Sequence, residues 1–244
     1  MEKKLVLITG ASKGIGAETA KCLARDGYFV CINYHESQNA AEEVASQIRQ
    51  SGGQCATMGA DVGQEDEVRT MIEGIRQRYG CISYLVNNAA RVSDRKGFED
   101  ISCEELHRVF SVNVYGAFLA IKHVVGHMRQ LGKGAIVNLS SEAGTYGGNM
   151  IAAYAASKGA INALTKGLAR ELAVSNIRIN AVSPGVIDTS ANSDSTDEQM
   201  DGIIKSIPLG RMGKPQEVAQ VISWLLSDSA SYVSGAVIPV AGAR

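Results

Sequence analysis

A chain of 244 residues, 45% of them apolar and 20% charged, suits one large globular domain with a sizeable core. Its formal net charge of −1 leaves no global field to draw it to nucleic acid or to an anionic membrane. No apolar run approaches the ~18 residues needed to span a bilayer, and the apolar start ends at Thr9-Gly10, too early for a signal peptide.

Leu5 to Ile8 predicts a first buried strand. Helical spacing follows from Ile15 to Arg25, with Ala17, Ala20, Leu23 and Ala24 on one side. Phe29 to Asn33 predicts a strand, and Ala40 to Gln50 a helix stopped by Ser51-Gly52-Gly53. Ala56 to Ala60 predicts a strand, Glu65 to Tyr79 a helix, and Tyr84 to Asn87 a strand. One long helix is expected from Ser102 to Gln130, then a strand from Ala135 to Leu139, a helix from Tyr154 to Leu172, and a strand from Arg178 to Val182. Glu217 to Leu226 predicts the last helix and Ala236 to Val240 the last strand. Seven strands alternating with about six helices predict a single α/β domain. Its expected form is a Rossmann-type, doubly wound parallel sheet with helices on both faces. The stretch from Asp188 to Asp201 lacks periodicity, and a substrate lid is expected over about 188–207. Cysteines at 22, 31, 55, 81 and 103 are odd in number and show no metal-clip or CxxC spacing. They read as small buried residues in a reducing, cytoplasmic setting, with no metal site.

The turn from Thr9 to Gly16 follows the first strand and opens the first helix. Gly10, Gly14 and Gly16 permit a tight turn and a close backbone approach. With Ser12, Lys13 and Ile15 they offer the free N–H groups and positive dipole end that a dinucleotide pyrophosphate needs. The second strand ends Asn33-Tyr34-His35-Glu36-Ser37. An acid at Tyr34 would bind a ribose 2′-hydroxyl and repel a 2′-phosphate; none is there. Lys13 can supply a cation, and Asn33, His35 and Ser37 can donate to phosphate oxygens, with Glu36 pointing outward. The expectation is NADP(H) preferred over NAD(H). Asp61-Val62 and Asn87-Asn88-Ala89-Ala90 fall at the carboxyl edge of the sheet, where ligands bind, although each could form a simple Asx turn.

Tyr154 and Lys158 share one helix face at i and i+4. A tyrosine has a pKa of about 10. A neighbouring ammonium, together with an oxidised nicotinamide, would favour the phenolate, so Tyr154 could exchange a proton with a substrate oxygen near neutral pH. Ser141, thirteen residues upstream, closes a strand at the same edge and could hydrogen-bond that oxygen.

These motifs, in this order, resemble the short-chain dehydrogenases/reductases, and the resemblance covers essentially the whole chain. The glycine turn matches from Thr9 to Gly16, the Asn-Asn-Ala-Gly motif at 87 to 89 with Ala90 in place of the last glycine, and the Pro-Gly motif at Pro184-Gly185. The resemblance implies catalytic roles for Asn113, Ser141, Tyr154 and Lys158. It implies that Asn113 holds a helix kink and a water linked to Lys158, and that Lys158 binds ribose hydroxyls. It places Asn88, Ala89, Pro184, Gly185, Ile187 and Thr189 at the cofactor, with Thr189 against the carboxamide. Within the family the chain is most similar to β-ketoacyl-carrier-protein reductases and glucose-dehydrogenase-like oxidoreductases. The carrier-protein enzymes often dock their acidic partner with arginines where this chain has Gly132 and Ser175; Arg129, Lys133 and Arg178 lie close enough to substitute. Acids at Asp188, Asp194, Asp197, Glu198 and Asp201 oppose an acidic partner, and residues 240–244 depart from the Asp-Gly-Gly usual near the end of those enzymes. The reading is therefore an oxidoreductase acting on a small carbonyl or alcohol, expected to be a homotetramer with neither nucleic acid nor membrane as partner. A 3-oxoacyl-carrier-protein reductase is the second reading. A dinucleotide-binding sensor with little turnover is the alternative of another class.

Overall fold

The computed structural model describes residues 4–189 and 202–244. The elements run β1 (Leu5–Ile8), α1 (Gly14–Arg25), β2 (Phe29–Tyr34), α2 (Gln38–Gln50), β3 (Gln54–Gly59), α3 (Glu65–Tyr79) and β4 (Tyr84–Asn87). Then come α4 (Cys103–Phe110), α5 (Gly116–Leu131), β5 (Gly134–Leu139), the short α6 (Ala143–Tyr146), α7 (Ala152–Ala173), β6 (Ile177–Pro184), α8 (Pro215–Leu226) and β7 (Val237–Val240). The seven strands form one sheet in the order β3-β2-β1-β4-β5-β6-β7, every pair parallel. This is the doubly wound sheet expected from the alternation. Strand order reverses between β1 and β4, and the loops leaving those two strands part there to form a crevice.

Local chemistry explains the helices. α3 opens on Glu65, Asp66 and Glu67 and closes on Arg76 and Arg78, so both ends oppose the macrodipole. α5 ends at Gly132, whose φ of 68° is the left-handed cap conformation that glycine adopts without cost. Two clusters fill the faces of the sheet. One packs α1, α2 and α8 over Val6, Ile8, Val30 and Ile32; the other packs α3, α5 and α7 over Leu5, Leu7, Leu85 and Ile136. Leu5, Leu7, Ile8 and Ile136 are among the side chains fully removed from water, each worth about 1.5–3 kcal/mol in transfer terms.

One expectation gains a detail and two need adjustment. The helix expected from 102 to 130 runs from Cys103 to Leu131 and carries a π-turn at Ser111–Tyr115, in which Asn113 is buried. By length and mean hydropathy alone, Cys103–Leu131 could cross a membrane, although no apolar run in the sequence suggested it. In the fold this segment packs on α3, β4 and β5 as a core helix. Of the cysteines, only Cys31 is fully buried; all five are free thiols, Cys103 is exposed, and burial pushes the Cys22 and Cys55 thiols up. Most of the expected lid lies outside the described residues, including Asp194, Asp197, Glu198 and Asp201; residues 202–205 form one helical turn.

Candidate active site

The glycine turn is held from two sides. Asn33 accepts from the N–H of Gly10 through Oδ1 at 3.1 Å and from that of Ala11 through its carbonyl at 2.8 Å. Asn88 donates its side-chain amide to the carbonyls of Thr9 and Gly10, at 2.9 and 2.8 Å. Thr9 Oγ1 in turn accepts from the N–H groups of Asn88 and Ala89. Gly10 has φ 61°, and a Cβ there would lie 2.8 Å from Ala89 Cα; a Cβ at Gly16 would lie 2.5 Å from Asn88 Nδ2. The glycines are therefore demanded by the close approach of the loop after β4. α1 opens at Lys13 with no side-chain cap. Its first N–H groups point into the crevice without a helical partner, which suits an anion. Gly14 faces Thr189 across the crevice, where a Cβ would meet the threonine methyl at 3.5 Å. The uncapped helix N-terminus thus borders the crevice beside Ile15 and Thr189, and its N–H groups fit the anionic part of a dinucleotide.

At the end of β2 one expectation is corrected. Asn33 is buried, and its amide donates within reach of the carbonyls of Tyr34, Met58 and Ala60, so its side chain braces the turn and does not face a phosphate. Tyr34 lies over Gly59, where a Cβ would come within 3.2 Å of its hydroxyl. His35 and Glu36 are exposed, 3.9 Å apart. Asp61 forms the Asx turn that was its simpler reading: Oδ1 accepts from Gly63 N–H at 2.9 Å. Val62 packs under Gly116.

At the reacting end, Ser141, Tyr154 and Lys158 line one cavity of about 400 Å³ together with Ile15, Asn88 and Thr189. α7 places the tyrosine and lysine one turn apart. The turn after β5 presents Ser141, whose Oγ accepts from Ala143 N–H at 3.2 Å. Lys158 is buried, donates to the Leu139 carbonyl at 2.7 Å, and sits 5.6 Å from the Tyr154 ring centroid. Burial pushes Lys158 down to about 8. Burial likewise raises Tyr154, while a hydrogen bond from Ser141 works in the opposite direction. In the chain by itself, desolvation is the larger influence on both groups, and the Lys158 ammonium donates to Leu139. Asn113, in the π-turn, bonds both backbone groups of Arg91, at 2.7 and 3.0 Å, and donates to Ser157 Oγ at 2.9 Å. It ties the loop after β4 to α7.

The Pro184-Gly185 step is where β6 leaves the sheet. A Cβ at Gly185 would lie 2.8 Å from Ala241 Cα and 3.1 Å from Glu142 Oε2. Ile187 bridges to Gly213. Glu142 and Arg244 also line the cavity and were not singled out from the sequence; no motif pairs residues a hundred positions apart. Among the suggested docking cations, Arg178 is turned inward to the carbonyls of Ser227 and Val233, at 3.1 and 3.3 Å, and does not substitute for a docking arginine. Arg129 donates to Ser175 Oγ at 3.4 Å.

Comparison with known proteins agrees with this geometry. A family model described as enoyl-(acyl carrier protein) reductase, of the short-chain alcohol dehydrogenase type, matches residues 10–242. The chain is 42% identical to the uncharacterized oxidoreductase YgfF of Escherichia coli over 98% of this chain and 99% of the relative. It is 35% identical to glucose 1-dehydrogenase 2 of Bacillus subtilis, over 98% and 93%. It is 37% identical to the 3-oxoacyl-[acyl-carrier-protein] reductase FabG of Staphylococcus epidermidis, over 98% of both chains. A parallel seven-stranded sheet, a glycine cradle at its switch point and full-length likeness to these relatives lead to one conclusion: the chain belongs to the short-chain dehydrogenase/reductase family of oxidoreductases.

Proposed function

We propose that this protein transfers a hydride between NADP(H) and the carbonyl/secondary-alcohol pair of a small molecule, with Tyr154 as acid/base. The observation that carries the reading is the convergence of Ser141, Tyr154 and Lys158 on one cavity that Ile15 of the glycine turn and Thr189 also line. When bound, the nicotinamide supplies the hydride for reduction and accepts it for oxidation. Held above its ordinary value by burial, Tyr154 carries its proton at neutral pH and can give it to the carbonyl oxygen as the carbonyl carbon takes the hydride. Ser141 hydrogen-bonds the same oxygen while negative charge develops. Asn87, Asn113 and Lys158 line a further cavity of about 10 Å³, about the room one water needs beside the lysine.

NADPH is the expected cofactor because Tyr34, not an acid, ends β2 and Lys13 lies exposed at the helix start, with Glu36 two residues on as the contrary signal. The test is a panel of small aldehydes and ketones with each nicotinamide, read at the nicotinamide absorbance. kcat/KM should be higher with NADPH, and Tyr34→Asp should move the ratio toward NADH by about tenfold or more, about 1.4 kcal/mol of discrimination. Equal values in the wild type would refute this pocket. Cofactor binding without turnover of any carbonyl would favour a sensor.

The second reading, reduction of acyl groups on carrier protein, is favoured by the 37% likeness to FabG. Against it stands the inward turn of Arg178, while the Arg129 guanidinium at Ser175 leaves one cation on that rim. A homotetramer is proposed because apolar side chains stay exposed on two faces. Trp224 on α8 is 42% exposed although Val218, Ile222 and Leu225 beside it are buried, and Tyr115 and Phe118 stand out from the α4–α5 side. Light scattering should give a mass near four times the 25.8 kDa of one chain; a monomeric mass at micromolar concentration would defeat the assignment. The proposed setting is the cytoplasm.

A further inference from the structure

Residues 240–244 depart from the ending usual in the carrier-protein enzymes, and the structure shows where they go. Ala241 rests on Gly185, the position at which β6 leaves the sheet. The carbonyl of Gly242 accepts from Leu209 N–H at 3.2 Å. Arg244 then reaches back over the active-site cavity, and its Nη1 lies 3.0 Å from Glu142 Oε1. Glu142 directly follows Ser141, so this ion pair stands beside the group assigned to the substrate oxygen. The Glu142 side chain is 17% exposed. Burial pushes its carboxyl up, with Arg244 working in the opposite direction.

On the far side of Arg244 lies a second cavity of about 420 Å³, comparable to the first. Val186 and Arg244 line both cavities. The second is walled largely by apolar groups, among them Tyr146, Ile207, Leu209, Pro239 and Val240. We propose that the Glu142–Arg244 ion pair is a partition that sets the length of substrate this protein accepts. While the pair is closed, the first cavity takes a short carbonyl compound. Val186 and Arg244 are the residues the two cavities share, so a longer straight-chain tail that enters the second cavity from the first passes through the place of the Arg244 side chain. An alkyl tail gives a half-buried carboxylate nothing in exchange for its guanidinium, so displacing the pair is unfavourable. This inference rests on the reductase reading and deepens it by naming short-chain substrates.

The experiment uses the full chain and a homologous series of β-ketoacyl thioesters of N-acetylcysteamine, from acetoacetyl to β-oxododecanoyl. The wild type should favour the short members. Arg244→Ala should raise the long-to-short ratio of kcat/KM by about tenfold or more, since even one admitted methylene in an apolar pocket is worth about that much. The change should lie mainly in KM for the long members. Glu142→Gln with Arg244→Ala should behave alike while removing the unpaired carboxylate, and Arg244→Lys should keep the limit. A length profile identical in wild type and both alanine-bearing variants overturns the partition. If the wild type reduces no member of the series, the reductase reading is judged by the panel of small aldehydes and ketones, and the partition by calorimetric binding of dodecanol. Tighter binding to Arg244→Ala than to the wild type supports it, and equal binding overturns it.

Discussion

Tyr154→Phe is expected to lower turnover by about 10²–10⁴-fold, the usual worth of a positioned acid or base, while cofactor affinity and thermal stability stay near wild type. The ring remains in the same half-buried place on α7, so packing is kept. What goes is the oxygen that shares a hydrogen bond with Ser141. The remaining machinery, the Ser141 hydroxyl and the glycine cradle, still binds and orients, so residual activity above the uncatalysed rate is expected. The decisive readout is kcat in single-turnover conditions beside the dissociation constant for NADPH. More than about a tenth of wild-type turnover would remove Tyr154 from the proton transfer. A parallel loss of cofactor binding would mean that the change had disturbed the cradle.

Lys158→Met is expected to abolish turnover, weaken cofactor binding, and alter the pH dependence of stability in a direction that can be worked out. Burial holds the folded-state lysine down to about 8 against an ordinary value of 10.5. Below pH ~8 the lysine is charged in both folded and unfolded chains, and the folded state bears the whole cost of burying it. As pH rises from about 8 toward 10.5 the folded chain holds the lysine neutral while the unfolded chain still binds the proton. Wild-type stability therefore gains with pH across that window. Methionine has no such proton. The stability of the variant relative to wild type should fall between pH ~7 and ~10 by a few kcal/mol, at about 1.4 kcal/mol per tenfold change in proton affinity. At pH ~7 the variant also loses the 2.7 Å bond to Leu139, worth about 1.5–3 kcal/mol for a charged donor, so its absolute stability there should stay close to wild type. Urea unfolding at both pH values checks this. Stability curves that run parallel for the two proteins would show that Lys158 is not desolvated in the folded chain.

Both substitutions act at residues whose identity was visible in the primary structure, and the reason is local. Tyr154 and Lys158 are four positions apart, so any helix there must put them on one face. Helix formation was itself visible in the spacing of apolar residues. The seven strands were equally legible: short β-branched runs alternating with amphipathic stretches can bury both kinds of surface only by stacking helices on a parallel sheet. Boundaries shifted by a residue or two, as at Gln54–Gly59, expected at Ala56 to Ala60.

The amino-acid sequence by itself determined the family, the sheet, and the glycine, serine, tyrosine and lysine positions around the crevice, because each depends on backbone periodicity or on motifs a few residues long. The tertiary structure alone decided how side chains are spent. Asn33 looked like a phosphate ligand and serves as a brace, since its partners, Gly10 and Ala60, arrive from neighbouring strands. The helix expected from 102 to 130 carries a π-turn at Ser111–Tyr115, where Asn113 bonds Arg91 and Ser157. Burial raises Tyr154 in the chain by itself, a direction that depends on everything packed around α7 and that no spacing of residues reveals. Glu142 and Arg244 meet across 102 residues of chain, |i−j| for the pair. No local pattern encodes such a meeting: it follows from β6, β7 and Gly185 bringing two loops to one edge of the sheet, and hydrogen bonds and desolvation are settled only once those surfaces have closed.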